Sequence, residues 1–363
     1  MNTAPPAGGS GLSSSTTDAA GIAQHLKSAS RVVITTHAKP DGDAVGSAVA
    51  LARAVMARGA MAEVWFAGPF PAWLGEACVS TPTVRLNADA PAPVTFSTSL
   101  GEPDAVVVVD TGSWVQVEHI RAWLTARFDR SCVIDHHLHG DAALAPLRFV
   151  KPYAAATTEL IAEVVDALLA LSPSDPIPAA IAPPLYLGLA TDTGWFRFSN
   201  TTPTALRLAA RLMDSGVDAP TLYQMVEQRD SQARPKLLGR ALSSLSYHPL
   251  PSGGVVGLMT LTQNDLTACG SGSEDTGGFA DPVMAVSEVK VVAMLTEMSH
   301  PGEAQPLTKV SLRSKPGSGA IDVAAVAAAL RGGGHARAAG VKLSMDLATA
   351  KTTILHALGI TSL

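Results

Sequence analysis

Hydrophobic residues in the first two thirds of the chain fall into two alternating patterns. The short runs "RVVITT" (31–36), "AEVWFAG" (62–68), "DAVVVVD" (104–110) and "SCVID" (131–135) are apolar almost throughout, not at every second position. Continuous β-branched runs of this length are what strands buried on both faces of a parallel sheet look like. Between them lie helix-like stretches. The clearest, "DAVGSAVALARAVMARG" (43–59), has an Ala/Val/Leu/Met-rich body and closes on a glycine suited to a C-cap. The alternation predicts a doubly wound, mainly parallel α/β domain over residues 20–225.

After residue 245 the pattern changes. "GGVVGLMTLT" (253–262), "EVKVVAMLTE" (288–297) and "LTKVSLRS" (307–314) are three strand-like runs, followed by a helix-like "AIDVAAVAAALRGGGHARAAG" (320–340). Strands followed by a helix predict a second, smaller α+β domain over 246–363. The more polar stretch 226–245 reads as a linker, partly helical. The first 19 residues are Ala/Gly/Ser/Thr/Pro-rich with no basic start and no apolar centre, and are expected to be a disordered tail, not a signal peptide.

Composition narrows the function classes. With 363 residues, 47% of them hydrophobic and 16% charged, the chain can bury two cores. A formal charge of −5 speaks against a broad basic surface for gripping long nucleic acid, while leaving room for a small phosphorylated ligand. No uninterrupted apolar run approaches the ~18 residues of a membrane span. Cys78, Cys132 and Cys269 are too scattered for a disulfide framework or a zinc pattern, which points to a reducing cytoplasm.

The candidate chemistry follows the strands. His37, Asp41 and Asp43 come after the first, Asp110 closes another, "VIDHH" (133–137) closes a third, and Asp192 sits in a polar turn after an apolar segment. In an open α/β sheet, ligands collect outside the carboxyl ends of the strands, so these scattered groups share one expected destination. Each has an ordinary alternative: Asp41-Gly42 as a turn pair, Asp43 as an N-cap, Asp110 before Thr-Gly as turn chemistry, and His136 or His137 as a core histidine. If they do converge, four negative charges in one cleft need cations, and no neighbouring run of lysine or arginine supplies them. Two divalent ions would. Mixed carboxylate and imidazole ligands suit Mn²⁺ better than a structural zinc. Asp110 is the expected bridge, with His37 and Asp41 on one ion and Asp43, His136 and Asp192 on the other; Asp135 would orient an imidazole from behind.

"THAKPDGDAVGS", "VVVDTG", "VIDHH" and "ATDTGWFRFSN", in this order, resemble the four motifs of the DHH phosphoesterase superfamily, and "GGGHARAAG" (332–340) is similar to the glycine-rich signature of its associated C-terminal domain. The length and the segment "AAATTEL" (154–160) resemble the NrnA-type group of oligoribonucleases and 3′-phosphoadenosine 5′-phosphate (pAp) phosphatases. The resemblance implies metal ligands at His37, Asp41, Asp43, Asp110, His136 and Asp192. It also implies a water activated by two metal ions that attacks phosphorus in line with the departing sugar oxygen. His137 is then free to bind the phosphoryl group or assist the leaving oxygen. In the second domain, Gly333 and Gly334 allow backbone N–H groups to approach an anion, and His335 and Arg313 add side-chain donors.

The expected activity is a Mn²⁺-dependent phosphoesterase that degrades short RNA such as the dinucleotide pApA and also dephosphorylates pAp. Its rivals are a cyclic di-AMP phosphodiesterase and a nucleotide-sensing module without catalysis; six intact ligand positions weigh against the sensor. No membrane partner is expected, and a homodimer is compatible with the reading.

Overall fold

In the computed structural model, which describes residues 11–361 apart from 71, 90–91, 94, 98, 299–305 and 318, the chain divides into two compact units between Gln228 and Arg229. The first unit begins with the two-residue β1 (Gly11–Leu12) and α1 (Ala19–Lys27). Then come β2 (Arg31–Thr35), α2 (Gly42–Ala57), β3 (Met61–Ala67), β4 (Thr83–Leu86), β5 (Ala105–Val109), β6 (Ser131–Asp135), β7 (His139–Gly140) and β8 (Leu147–Val150). Helices α3 (Thr157–Leu169) and α4 (Ala182–Asp192) follow.

Six of these strands form one fully parallel sheet in the order β4-β3-β2-β5-β6-β8. Both of its faces are covered. Ile34, Val107 and Ile134 face a core built with α1, α2, α3 and α4, while Val33, Val106, Val108 and Val133 face Trp65, Ile120 and Trp123 on the other side. This double burial is the reason the strand sequences are continuously apolar. Every strand of the sheet delivers its carboxyl end to the same edge, which is where the polar motifs lie.

Residues 1–10 of the expected tail lie outside the described residues. The rest of it is not disordered, which corrects the expectation from composition. β1 pairs with β7, and Ser15 Oγ both accepts from Val150 N (2.8 Å) and donates to Val150 O (2.9 Å). Thr16 N donates to Arg148 O (2.8 Å), and Thr16 Oγ1 accepts from Arg148 N (2.9 Å). Hydroxyls that made the segment look solvent-loving instead satisfy the open edge of β8.

The second unit contains α5 (Ala233–Ser243), β9 (Ser246–Pro249), β10 (Val255–Leu261), β11 (Val289–Met298), β12 (Leu307–Ser314), α6 (Val323–Ala329), β13 (Gly333–His335), β14 (Ala338–Leu343) and α7 (Leu347–Ala357). Its sheet, ordered β13-β14-β12-β11-β10-β9, is antiparallel except for β10 with β11. Helices α6 and α7 cover one face through Val323, Ile354 and Leu355. On the other, Leu237 and Ala241 of α5 pack with Met259, Phe279 and Met294. The stretch 226–245 is thus not a linker through its length: α5 is amphipathic, and its apolar positions complete this core. The helix expected across 320–340 stops at Ala329, because Gly332–Gly334 turn into a tight hairpin. A side chain at Gly332 would meet Gly340 O at 2.4 Å, and Gly334 sits at φ +141°. Among the described residues, no helix is long and apolar enough to cross a membrane.

Candidate metal centre

Four parts of the first unit carry the candidate ligands: the turn after β2, the ends of β5 and β6, and the end of α4. The turn after β2 carries His37 and leads to Asp41, which is the N-cap of α2, accepting from Ala44 N at 3.1 Å. Asp43, read from sequence as the cap, lies inside the first turn, buried at 2% exposure. Its carboxylate is held by α3, with Thr157 N donating to Oδ2 (2.6 Å) and Thr158 N to Oδ1 (3.0 Å). The positive end of that helix therefore faces a buried carboxylate. Asp110, next after β5, occupies the left-handed region at φ +60° and accepts from Thr157 Oγ1 (2.9 Å). Aspartate tolerates this conformation better than most residues, yet at a strain of about 1–3 kcal/mol that the surrounding contacts must hold.

Asp192 arrives differently from the sequence reading. It is the last residue of α4, not part of a polar turn after an apolar segment, and it adds its charge at the negative end of a helix. α4 can deliver it beside Asp43 because the helix crosses α2 at two glycines. A Cβ at Gly46 would lie 2.3 Å from Pro184 O, and one at Gly188 would lie 2.8 Å from Asp43 Oδ1.

The structure brings His37, Asp41 and Asp110 into one cluster, and Asp43, His136 and Asp192 into a second; a third joins Asp110, His136 and His137. His37 Nε2 is 3.6 Å from Asp110 Oδ2, and His136 Nε2 is 3.7 Å from both Asp110 Oδ1 and Asp192 Oδ2. These separations are too long for good hydrogen bonds but suit ligand atoms sharing an ion at bonds of ~2.1 Å. His136 Nδ1 lies 3.1 Å from Ala154 O and donates to it, which leaves Nε2 as the ring nitrogen facing the cluster.

Electrostatics agree with a cation-binding role. Burial, and then Asp43 and Asp41, push Asp110 well above the usual carboxylate range; burial also raises Asp43. Burial and Asp43 push Asp192 up to about 7. Among the described residues, the cationic side chains paired with these carboxylates are imidazoles, not lysine or arginine. Carboxylates and imidazoles converging in this way, with the proton affinity of Asp43, Asp110 and Asp192 raised, are the donor chemistry of divalent ions.

Burial lowers the pKa of His37, which favours the neutral form a ligand needs. His137 goes the other way. Asp135, fully buried, bonds its Nδ1 at 2.7 Å and its backbone N at 3.2 Å, and this hydrogen bond raises the His137 pKa. His137 is half exposed and points a proton-bearing imidazole at the site.

Sequence reading missed the contribution of Thr157, Thr158 and the Ala154 carbonyl, which fix Asp43, Asp110 and His136. The signal was present in "AAATTEL", a run of small residues before a Thr-Thr-Glu helix start. In the second unit, Arg313 is exposed on β12 and pairs with Ala338, which pairs in turn with His335. Arg313 and His335 thus share one cross-strand row, His335 being described through its backbone alone. Gly333 and Gly334 lie in the same β13 strand.

A parallel sheet with such a cluster at its carboxyl edge is the arrangement of a metal-dependent phosphoesterase. Comparison with known proteins gives the same class. Residues 31–189 match the DHH family, N-terminal domain. A bifunctional oligoribonuclease and PAP phosphatase, NrnA, from Thermus thermophilus is 32% identical over 331 residues, 90% of this chain and 88% of its own length. The protein of the same description from Mycoplasma pneumoniae is 31% identical over 187 residues, covering 50% of this chain and 52% of its own. An exopolyphosphatase-related protein from Bacteroides fragilis superposes with a TM-score of 0.80 at 24% identity, over 94% of this chain and 95% of that one. The chain belongs to the DHH family of phosphoesterases, with similarity to the Thermus NrnA over most of both chains.

Proposed function

We propose that the protein hydrolyses very short oligoribonucleotides, such as pApA, to mononucleotides and removes the 3′-phosphate of pAp, using two Mn²⁺ ions. The similarity to the Thermus enzyme over most of both chains supports the substrate class. The observation that carries the chemistry is Asp110, whose two oxygens face different imidazoles: Oδ2 faces His37 and Oδ1 faces His136. That placement suits a carboxylate shared by two ions, with His37 and Asp41 completing one and Asp43, His136 and Asp192 the other. Divalent ions held there would neutralise the carboxylates, withdraw charge from phosphoryl oxygens and lower the pKa of an attacking water.

The chain's own groups divide the remaining work. Burial favours the neutral form of His37, and the bond from His136 Nδ1 to Ala154 O holds that ring with Nε2 turned to the acidic centre. Asp135 raises the proton affinity of His137, which favours a ring whose other nitrogen can donate to a phosphoryl oxygen or to the ribose oxygen that leaves as the P–O bond breaks. In the second unit, Arg313, Gly333, Gly334 and His335 are proposed to bind the nucleotide. A reducing cytoplasm suits the three free cysteines, of which burial pushes Cys78 up to about 11 and Cys132 up to about 12.

The test is parallel hydrolysis of pApA, pAp, cyclic di-AMP and a longer RNA by the Mn²⁺-loaded protein. pApA and pAp should turn over fastest; preference for cyclic di-AMP would replace this reading, and hydrolysis of none would favour a sensor. Asp110→Asn should abolish metal-dependent turnover, and retained activity would break the shared-carboxylate assignment.

A further inference from the structure

A second cavity opens at the carboxyl edge of the sheet, beside the acidic centre and made wholly by the first unit. It measures about 500 Å³ and is lined by Ala38, Lys39, Gly68, Pro69, Leu86, Asn87, Ala88 and Asp89. That size falls within the usual range of small-molecule sites. We infer that this cleft receives the nucleoside, ribose and base together, whose phosphate lies at the acidic centre. The inference rests on the nucleotide reading above and names where that substrate's specificity is set.

Three observations lead there. First, Ala38 and Lys39 are the link between His37 and Asp41, so each end of the cleft's wall is within two residues, about 7 Å, of a proposed ligand. A group bound in the cleft is therefore next to the reacting phosphate. Second, the wall is held in a costly shape. Lys39 adopts φ +96° and donates its backbone N–H to Ala67 O (3.4 Å), while Gly68, at φ +74°, lets the two turns approach; a Cβ there would lie 3.3 Å from Lys39 N. A lysine in a conformation that favours glycine points to a use for its ammonium.

Third, the donors and acceptors match a nucleoside better than a polyanion. Among the described residues, neither the Lys39 ammonium nor the Asp89 carboxylate has a hydrogen-bonding or ion-pair partner. Asn87 Oδ1 accepts from Asp89 N (3.0 Å), which leaves its NH₂ as a donor for a ligand. One cation, one carboxylate and one amide would repel a run of phosphates but suit one phosphate edge, ribose hydroxyls and a base edge. Pro69 and Leu86 offer apolar surface for a ring between them.

The experiment compares kcat/KM for pApA and pAp with that for bis(p-nitrophenyl) phosphate, which has a scissile phosphodiester but no ribose or base, all with Mn²⁺. Lys39→Gly keeps the left-handed backbone without strain, so it should fold at least as well as the parent. Its preference for pApA over bis(p-nitrophenyl) phosphate should fall about tenfold, the size of one charge-assisted contact, mainly through KM. Lys39→Arg should restore most of it, and Asn87→Ala should lower it severalfold. Unaltered preference in Lys39→Gly and Asn87→Ala would overturn the assignment while leaving the nucleotide reading intact. A parent protein that cleaves bis(p-nitrophenyl) phosphate but neither nucleotide would overturn that reading, and this assignment with it.

Discussion

Gly188→Ala tests whether the spacing of two helices sets the geometry of the acidic centre. The added methyl would lie 2.5 Å from the Thr158 methyl, 2.8 Å from Asp43 Oδ1 and 3.1 Å from Asp43 Cα, where ordinary contacts begin near 3.4 Å. Rotating Thr158 clears the first clash, but the last is with backbone, so α2 and α4 must separate by at least a few tenths of an ångström. Overpacking of this kind costs about 1–3 kcal/mol. For a cooperative unit of this size, that is a fall in Tm of roughly 2–12 °C. The displaced atoms include the Asp43 carboxylate, and misplacing a catalytic group by ~1 Å can cost about 10²-fold in rate, so a smaller shift should lower kcat/KM roughly tenfold. Thermal melts and pApA hydrolysis with saturating Mn²⁺ measure both effects. Gly239→Ala is the control. It lies in α5 with nothing near the new methyl, and should stabilise by up to about 1 kcal/mol with unchanged turnover. If Gly188→Ala kept both the parent Tm and the parent kcat/KM, helix spacing would not be what places Asp43.

Other expectations follow from the same geometry. For chelated protein, the raised pKa values of Asp43, Asp110 and Asp192 mean that the native state holds more protons than the unfolded chain between pH ~4 and ~7, so its stability should fall as pH rises across that interval. His137, also raised, acts in the same direction from pH ~6.5 upward, while the lowered His37 and His119 oppose it. Melts at pH 5.5 and 7.5 should thus show a lower Tm at the higher pH without metal and recovery with Mn²⁺; a metal-free Tm that rises would refute the burial argument. Asp135→Asn removes the charge that supports the His137 imidazolium, so the basic limb of the pH–rate profile should move to lower pH, which steady-state kinetics across pH would reveal. Arg211 makes two 2.8 Å bonds to Asp166 and bonds the carbonyls of Asp175 and Ser172. Arg211→Met should therefore cost roughly 2–4 kcal/mol in denaturant unfolding, with kcat for pApA retained.

Most of the first unit was legible because its strands are buried on both faces, so no alternation obscured them. The same burial hid α4. "APPLYLGLATD" is apolar nearly all round, so it lacks the one-sided stripe that marks a surface helix, and Asp192 was read as part of a turn. The residue types at the acidic centre could be named from their spacing after strands, whereas the groups that aim them could not. Thr157, Thr158 and Ala154 contribute mostly backbone atoms, which any small residue could supply. Asp41 and Asp43 exchanged local roles for a similar reason: either can cap a helix, and only the position of α3 decides which carboxylate is needed elsewhere. The Gly332–Gly334 turn falls within the helix-like run because alanines flank it on both sides, and the distinction came from the partner strand β14.

The pairing of residues 11–17 with β7 and β8 also bears on how the molecule behaves in company. β8 is the outer strand of a strongly apolar parallel sheet, and a bare outer strand invites another chain to add itself there. Ser15 and Thr16 occupy those backbone groups from within the same chain, so the segment acts as a selvedge that stops the weave from continuing. Chains trimmed behind Thr17 would expose that border, and their loss would register as self-association at rising concentration.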